Sequence, residues 1–546
     1  MARPASVPVC DRCKHRRQKC DKIPEGCASC VAASEVCHFT DPETGQTFPR
    51  LYVKQLEDRL QELRSLKATI MTPSALPTTP FSANSPASDI PSGRVNTSYL
   101  GDSSGLVFIR SCINLAKSQG ILNPSARMPH VRRPMAIKLG QLPELSPPDD
   151  GIPLTQRTME ELFGVFSDCQ SQHPLLNELE FHAYMKLFLE QNAEIKHLAT
   201  GCIHMVFAIS LNVLGKAERN TTASKLAEIY YQKVLRGLQL ILYPPSLQSL
   251  QVILLVLHFS LSNPQQPVVW HLVGHALRSS IALGLHRDVP ADVPSAEADL
   301  RRRLFWSLYS IDRAVGNTLG RPTGLPDVEI STQFPYSKNC VVGNTEITNH
   351  CFRLRQLQSE VADVLYQRTQ PFSAIFIDRT QHRIDDWLSA VPIATCPTEM
   401  IDWFHHAYHN LCIFLHRPSV ANPDPTPRDI QTCFDSAQAV LRLYWKLYQS
   451  DAVDCTWMAI HWLFLAAVVH LYCIWTHDDI RNAVDWSIVL EDTQTTSMVL
   501  TAMAERWTSA ERVPQVYHNL CIGTFRIYGE LYPHSDSDID SVTSQL

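Results

Sequence analysis

Six cysteines within 28 residues constrain this chain more than any other feature. Cys10, Cys13, Cys20, Cys27, Cys30 and Cys37 are separated by two, six, six, two and six residues. The last three therefore repeat the spacing of the first three, 17 positions later. So short a segment cannot bury an apolar core of its own, and a cross-link must hold it. The start, MARPASVPVC, lacks the apolar run of a secretory signal. The thiols are then expected to stay reduced, and closely spaced reduced thiols favour a metal over disulfides. Zinc takes four tetrahedral ligands, and thiolates suit its closed structural sites. Six cysteines can serve one ion with two to spare, or two ions if two sulfurs bridge. The duplicated spacing favours two Zn²⁺ ions, since each half then contributes equally. By the same symmetry the leading cysteine of each half, Cys10 and Cys27, is the natural bridge. Cys13 and Cys20 then complete one ion, and Cys30 and Cys37 the other.

The repeat is asymmetric in charge. Its first half carries Arg12, Lys14, His15, Arg16, Arg17, Lys19 and Lys22; residues 27–37 carry no basic side chain. Between residues 10 and 22, six Lys/Arg face only Asp11 and Asp21, a local excess of four positive charges. The whole chain of 546 residues has a net charge of −6. A basic patch on an acidic body is the footprint of a small nucleic-acid reader attached to something else. A short helix after the first cysteine pair would present Lys14, Arg16, Arg17 and Lys19 at an exposed end. From there Arg and Lys reach phosphates, and one or two reach guanine O6 and N7 in the major groove. Zinc as a bare staple explains the cysteines but not this basic run.

The rest of the chain divides by composition. After a module at 1–40, residues 41–50 read as a polar linker. Residues 51–70, LYVKQLEDRLQELRSLKATI, place Val53, Leu56, Leu60 and Leu63 at coiled-coil spacing, a short dimerisation seam. The competing reading is one amphipathic helix docked on its own chain. Residues 71–98 are rich in Pro, Ser and Thr without periodicity, a disordered linker. From 99 to 533 helix-like apolar periodicity dominates, giving a large all-α domain, followed by an acidic disordered tail at 534–546. The expected fold class is mainly α. Leu300, Leu304, Leu308, Ile311 and Val315 illustrate one apolar face, with Arg301, Arg302, Arg303 and Arg313 expected on or near the solvated face. The run from Trp457 to Trp475 is long and apolar, but His461 and His470 interrupt it. A buried core helix is expected rather than a membrane span. The eleven lone cysteines from Cys112 to Cys521 read as small core residues.

Residues 10–37 resemble the fungal six-cysteine binuclear zinc cluster, in all six cysteines with their five spacings and in the basic block KHRRQK. The resemblance implies Cys10 and Cys27 as bridging ligands, and positions Arg16 and Arg17 as readers of a CGG-like triplet. Arg17 stands where that family commonly has Lys. The resemblance further implies a homodimer on double-stranded DNA with two CGG-like half-sites, and a nuclear location. The helical region resembles the middle region of fungal transcription factors. YLGDSSGL (Tyr99–Leu106), HPLL (His173–Leu176), WHLVGHALRSSIALGLHRD (Trp270–Asp288), RRRLFWSLYSIDRAVGNTLGRPTGLP (Arg301–Pro326) and LHRPS (Leu415–Ser419) carry it in order. What this implies is a pathway-specific regulator of metabolic or biosynthetic genes, commonly an activator, working with transcriptional co-regulators. It names no small-molecule effector.

No sequence motif marks the helical region as an enzyme. Asp312 followed by Gly320-Arg321-Pro322 reads as a buried Asp–Arg tie rather than a catalytic set. His405 and His409 stand at metal-pair spacing but have no completing ligand set in sequence, so structural or surface histidines are expected. Two other readings stay in view: a thiol module controlling a helical enzyme, and an interaction scaffold that has lost DNA reading.

Overall fold

The computed structural model describes residues 9–21, 23, 26–40, 47–49, 100–122, 155–190, 196–217, 221–262, 269–290, 292–336, 344–367, 373–453, 456–506 and 510–531. The chain divides into two compact units, Met1–Thr78 and Thr79–Leu546. The seam positions Val53, Leu56, Leu60 and Leu63 and the linker at 71–98 lie outside the described residues, as do Lys22 and the tail.

In the first unit the sequence repeat becomes a backbone repeat. Helix α1 (Asp11–His15) and helix α2 (Ala28–Val31) each begin right after a leading cysteine. Beyond α1 the Arg17 and Gln18 amides donate to the carbonyls of Lys14 and Cys13. Seventeen residues on, the Ser34 and Glu35 amides donate to Val31 and Cys30. Both pairs form the same helix-terminating motif, in which one residue turns left-handed. Arg17 (φ 50°) and Ser34 (φ 54°) fill that place. Strands β1 (His38–Thr40) and β2 (Thr47–Pro49) then pair antiparallel, with Phe39 opposite Phe48. Part of the expected linker is thus a strand, because Thr40 ties the hairpin back to α1. Its amide and hydroxyl donate to Asp11, and its hydroxyl also lies 3.0 Å from that of Thr47.

The second unit is mainly α, as the periodicity indicated. Its helices are α3 (Gly105–Ser118), α4 (Gln156–Asp168), α5 (Glu178–Leu189), α6 (Lys196–Ala217), α7 (Thr221–Arg236) and α8 (Leu238–Leu242). They continue with α9 (Leu247–Ser262), α10 (Val269–Ala282), α11 (Ser295–Leu319), α12 (Thr345–Ala362), α13 (Ala374–Ser389) and α14 (Thr398–His416). The last are α15 (Pro427–Gln449), α16 (Trp457–Thr476), α17 (Asp478–Ala483), α18 (Trp486–Arg506) and α19 (Val513–Leu531). Three apolar clusters share the packing. One joins α4 to α11, a second joins α3 with α15, α16, α18 and α19, and a third lies among α12, α13 and α14.

The apolar run from Leu226 to Leu242 is broken at Gly237 into α7 and α8, since glycine is the weakest of the non-proline helix formers. Helix α16 is long and apolar enough to cross a membrane, but from Leu463 to Trp475 it is buried among α3, α15, α18 and α19.

Two of the four arginines of α11, Arg303 and Arg313, overturn their expectation, while Arg301 and Arg302 are half-buried. Every residue from Arg303 to Thr318 is buried, so this helix has no solvated face over that span. Arg303 is 2 % exposed and pairs with Glu180 and with Asp299 (2.7 Å), while donating to the Pro174 carbonyl at 3.0 Å. Arg313, fully buried, pairs with Asp312 and Asp327 at 2.6 Å each. Asp312 therefore has its arginine one residue away rather than in Gly320-Arg321-Pro322. Arg321 instead lies over the Trp270 ring, 4.8 Å from its centre. A helical period assigns polar residues outward, but buried arginine persists where carboxylates and carbonyls satisfy it.

Candidate zinc and DNA-binding site

The six N-terminal sulfurs converge because the two repeats turn back on each other. Cys10, Cys13, Cys20 and Cys27 form one group, and Cys10, Cys27, Cys30 and Cys37 a second; within each, the sulfurs lie within 4.8 Å of one another. Cys10 and Cys27 belong to both. The Cys10–Cys27 and Cys10–Cys30 sulfurs are 3.7 Å apart, and Cys13–Cys27 3.5 Å. Four thiolates at about 2.3 Å from a tetrahedral zinc stand about 3.8 Å apart, so each group has the dimensions of a zinc–thiolate site. Among the described residues no other group of His, Cys, Asp and Glu closes in this way.

The shared sulfurs differ electrostatically from the others. Burial opposes ionisation of both, yet the Cys13 amide lowers Cys10, and the Cys30 amide with the neighbouring thiols lowers Cys27 to about 6. Cys13 is pushed up to about 12 by its contact with Cys10 and by burial. Cys10 and Cys27 each stand at a short helix N-terminus, where backbone N–H groups favour a negative sulfur.

The two halves are joined by polar ties as well as by sulfur. Arg12 donates to the Ser29 carbonyl at 2.8 Å and pairs with Glu35 at 2.7 Å. Its side chain is only 16 % exposed, so it is spent inside the module, unlike the other described basic candidates. Asp21 accepts from the Ala28 amide at 2.9 Å, at the start of α2. Lys14, His15, Arg16, Arg17 and Lys19 are all exposed, along α1 and just past its end. The second half presents Val31 and Ala32 to solvent in the equivalent stretch. The role of Arg12 as a tie was not legible from composition, although Glu35, the second half's lone acid, was its available partner.

The motif stretches of the helical unit meet as structural ties. Ser104 donates through its hydroxyl to the Thr318 carbonyl, and Arg417 donates to the Ser103 carbonyl at 2.6 Å. Gly320 (φ 67°) packs so closely that a Cβ there would lie 2.2 Å from the Gly101 carbonyl oxygen. Gln170 binds the Leu175 and Leu176 backbone, fixing the His-Pro-Leu-Leu corner. Of the histidine pair, His405 is exposed and His409 half-buried, and neither belongs to a metal-sized group among the described residues.

Comparison with known proteins places the helical unit. Residues 166–388 match the family described as the fungal specific transcription factor domain. The chain is 26 % identical over 257 residues to pyrimidine pathway regulatory protein 1 of Saccharomyces cerevisiae, covering 41 % of this chain and 28 % of that protein. It is 25 % identical to the positive regulator of purine utilization of Emericella nidulans, over 43 % of this chain and 31 % of that protein. An uncharacterized transcriptional regulatory protein of Schizosaccharomyces pombe is 22 % identical over 83 % of this chain and 81 % of its own length. The chain thus spans about a third of the length of the first two of these relatives.

Proposed function

We propose that this chain, which carries a fungal specific transcription factor domain and resembles fungal transcriptional regulators, is a zinc-dependent, sequence-specific DNA-binding regulator of transcription acting in the nucleus. The observation that carries this reading is a pair of four-sulfur groups sharing Cys10 and Cys27, beside an exposed basic run. In it, Cys10, Cys13, Cys20 and Cys27 hold one Zn²⁺ and Cys10, Cys27, Cys30 and Cys37 the other. Bound zinc supplies the folding energy that a module with so small a core lacks. The protein's own part is to aim α1. Lys14, His15 and Lys19 contact phosphates, and Arg16 and Arg17 reach the base edges of a CGG-like triplet. Arg12 is set apart from the readers, since its guanidinium already ties the two halves.

A dimer reading two triplets through Val53, Leu56, Leu60 and Leu63 fits the heptad spacing, and half-site separation would follow from that segment. The relatives' names point to nutrient-pathway genes, and control of a metabolic or biosynthetic pathway, in the manner of an activator with co-regulators, is the corresponding proposal here. A non-enzymatic regulator is the corresponding proposal for the helical unit, since its relatives are named as regulators.

The test is a gel-shift titration of the full chain with CGG-containing duplex and a scrambled duplex, with and without zinc. Arg17→Gly is the informative variant, because glycine takes the left-handed backbone at position 17 without strain. Any loss then belongs to the side chain. A specific contact predicts about 10- to 100-fold weaker CGG binding with scrambled binding nearly unchanged. Equal affinity for both duplexes in the unaltered chain would remove sequence-specific reading.

A further inference from the structure

The two four-sulfur groups match in spacing but not in burial. Cys10, Cys27, Cys30 and Cys37 are all buried, whereas the group of Cys10, Cys13, Cys20 and Cys27 contains one half-buried member, Cys20. The other five cysteines are at most 6 % exposed. The difference follows from what comes next in the chain. Cys37 runs straight into β1, which Thr40 ties back to Asp11. Cys20 runs into Asp21, and among the described residues no strand or helix follows it before α2. The stretches leading to the two cysteines also differ in charge. Exposed Lys14, Arg16, Arg17 and Lys19 precede Cys20, while the only charged residue among residues 31–36, before Cys37, is Glu35.

Oxidants select sulfurs that are partly exposed and set in electropositive surroundings. A metal-bound cysteine is already a thiolate, so access and local charge rank these six. On both counts Cys20 stands first, and its own group supplies a second sulfur. Cys13 lies within 4.8 Å of it. In the two-zinc arrangement both are terminal ligands of the same ion, unlike the shared Cys10 and Cys27. Cys13 and Cys20 also bracket residues 14–19, which include the proposed readers Arg16 and Arg17. The corresponding pair of the second half, Cys30 and Cys37, brackets no basic side chain. A bond between Cys13 and Cys20 therefore closes on the reading stretch itself.

We propose that Cys20 is an oxidation site for hydrogen peroxide and, with Cys13, forms a reversible disulfide that switches off the DNA-reading half. Cys20 Sγ attacks one peroxide oxygen, the O–O bond breaks, and hydroxide leaves, with Cys20 now a sulfenic acid. The Cys13 thiolate attacks that sulfur, displacing a second hydroxide and forming the S–S bond. Two thiolates thus lose two electrons in all, and peroxide gains them. The first ion is left with Cys10 and Cys27, half the ligands that tetrahedral zinc takes, and is released. The second keeps four buried sulfurs. This inference rests on the two-zinc reading of residues 10–37 and adds to it an unequal response of the two sites.

The experiment treats the zinc-loaded full chain with limiting hydrogen peroxide. A colorimetric chelator follows released zinc, alkylation with peptide mass spectrometry follows each thiol, and gel shift follows CGG binding. One zinc of the two is expected to leave as the Cys13–Cys20 disulfide forms, with CGG binding lost in step. Dithiothreitol with added zinc should restore both. Cys20→His keeps a zinc-ligating donor but removes the oxidisable sulfur, and is expected to hold both ions through the same treatment. Should that variant fail to load zinc, the order of thiol oxidation in the unaltered chain decides. The proposal is overturned if Cys30 or Cys37 oxidises before Cys20, if both ions leave together, or if CGG binding is lost while Cys20 is still reduced. Those outcomes leave the two-zinc reading standing, whereas an untreated chain holding fewer than two zinc ions overturns both.

Discussion

In the N-terminal module the buried described residues are Cys10, Cys13, Cys27, Cys30, Cys37 and Gly26. In the helical unit they are leucines, isoleucines, valines and aromatics in three clusters, with arginines such as Arg303, Arg313 and Arg417 threaded through on ion pairs and carbonyls. Among its described residues the first region has no apolar core, and on the proposed reading zinc both holds it and aims its basic helix. The second has core to spare and uses charge to fix where helix ends and loops meet. On that reading one region's architecture is set by coordination chemistry, and the other's by packing corrected by buried polar ties. A perturbation aimed at one should leave the other standing.

Metal removal should separate the regions most sharply. A strong chelator is expected to weaken DNA binding by at least about 100-fold, since structural zinc supplies about 10–16 kcal/mol of folding energy. The far-UV circular dichroism of the full chain should barely change, because its described helices lie almost wholly in the second unit. A parallel loss of helical signal would dissolve the distinction.

Arg313→Ala acts in the opposite direction. It strands Asp312, whose carboxyl burial already pushes up, and should cost the helical unit about 3–5 kcal/mol in urea unfolding. DNA binding measured under native conditions should survive. A cost below about 1 kcal/mol would mean that Asp312 finds another partner, such as its Gly324 amide contact, sufficient.

Arg12→Ala tests whether all basic residues of the first half belong to one class. A phosphate contact lowers the slope of log affinity against log salt by about one when removed. Lys14→Ala should show that change. Arg12→Ala should leave the slope as it is and instead speed zinc loss to a competing chelator, since it breaks the ties to Ser29 and Glu35. A reduced slope would return Arg12 to the DNA-facing set.

The smallest effect concerns acid. Burial alone would raise the Asp429 carboxyl, but His416 at 2.6 Å and Thr426 donate to it and hold it below the usual carboxylate range. A folded value below the unfolded one adds stability above about pH 4 that fades as pH falls through the lowered folded value. Asp429→Asn should therefore cost about 1 kcal/mol near neutral pH, with the gap to the unaltered chain closing in acid. A gap that widens in acid would reverse the sign.

How much of this was legible in sequence differs between the regions for a physical reason. The cysteine spacing is local and discrete, so the 17-residue repeat pointed to a short helix in the first half and to Cys10 and Cys27 as the sulfurs that fall into both groups, while the matching termini at Arg17 and Ser34 emerged only from the structure. The basic run gave away exposure, because no local partner existed for Lys14, Arg16 or Lys19. Arg12 escaped because its partners, Ser29 and Glu35, lie across the repeat. In the helical unit, apolar period revealed that α11 and α16 exist and that α16 is buried. It could not reveal that α11 has no outer face, since that depends on which helices surround it. The fate of Arg303 and Arg313 was likewise settled only in three dimensions. Each joins a carboxylate close in sequence, Asp299 or Asp312, to one distant in sequence or set by a loop, Glu180 or Asp327. Sequence by itself determined which cysteines converge and which half of their repeat is basic; tertiary structure decided which arginines are buried and tied, because burial of a charge depends on the surrounding elements, which no local pattern encodes.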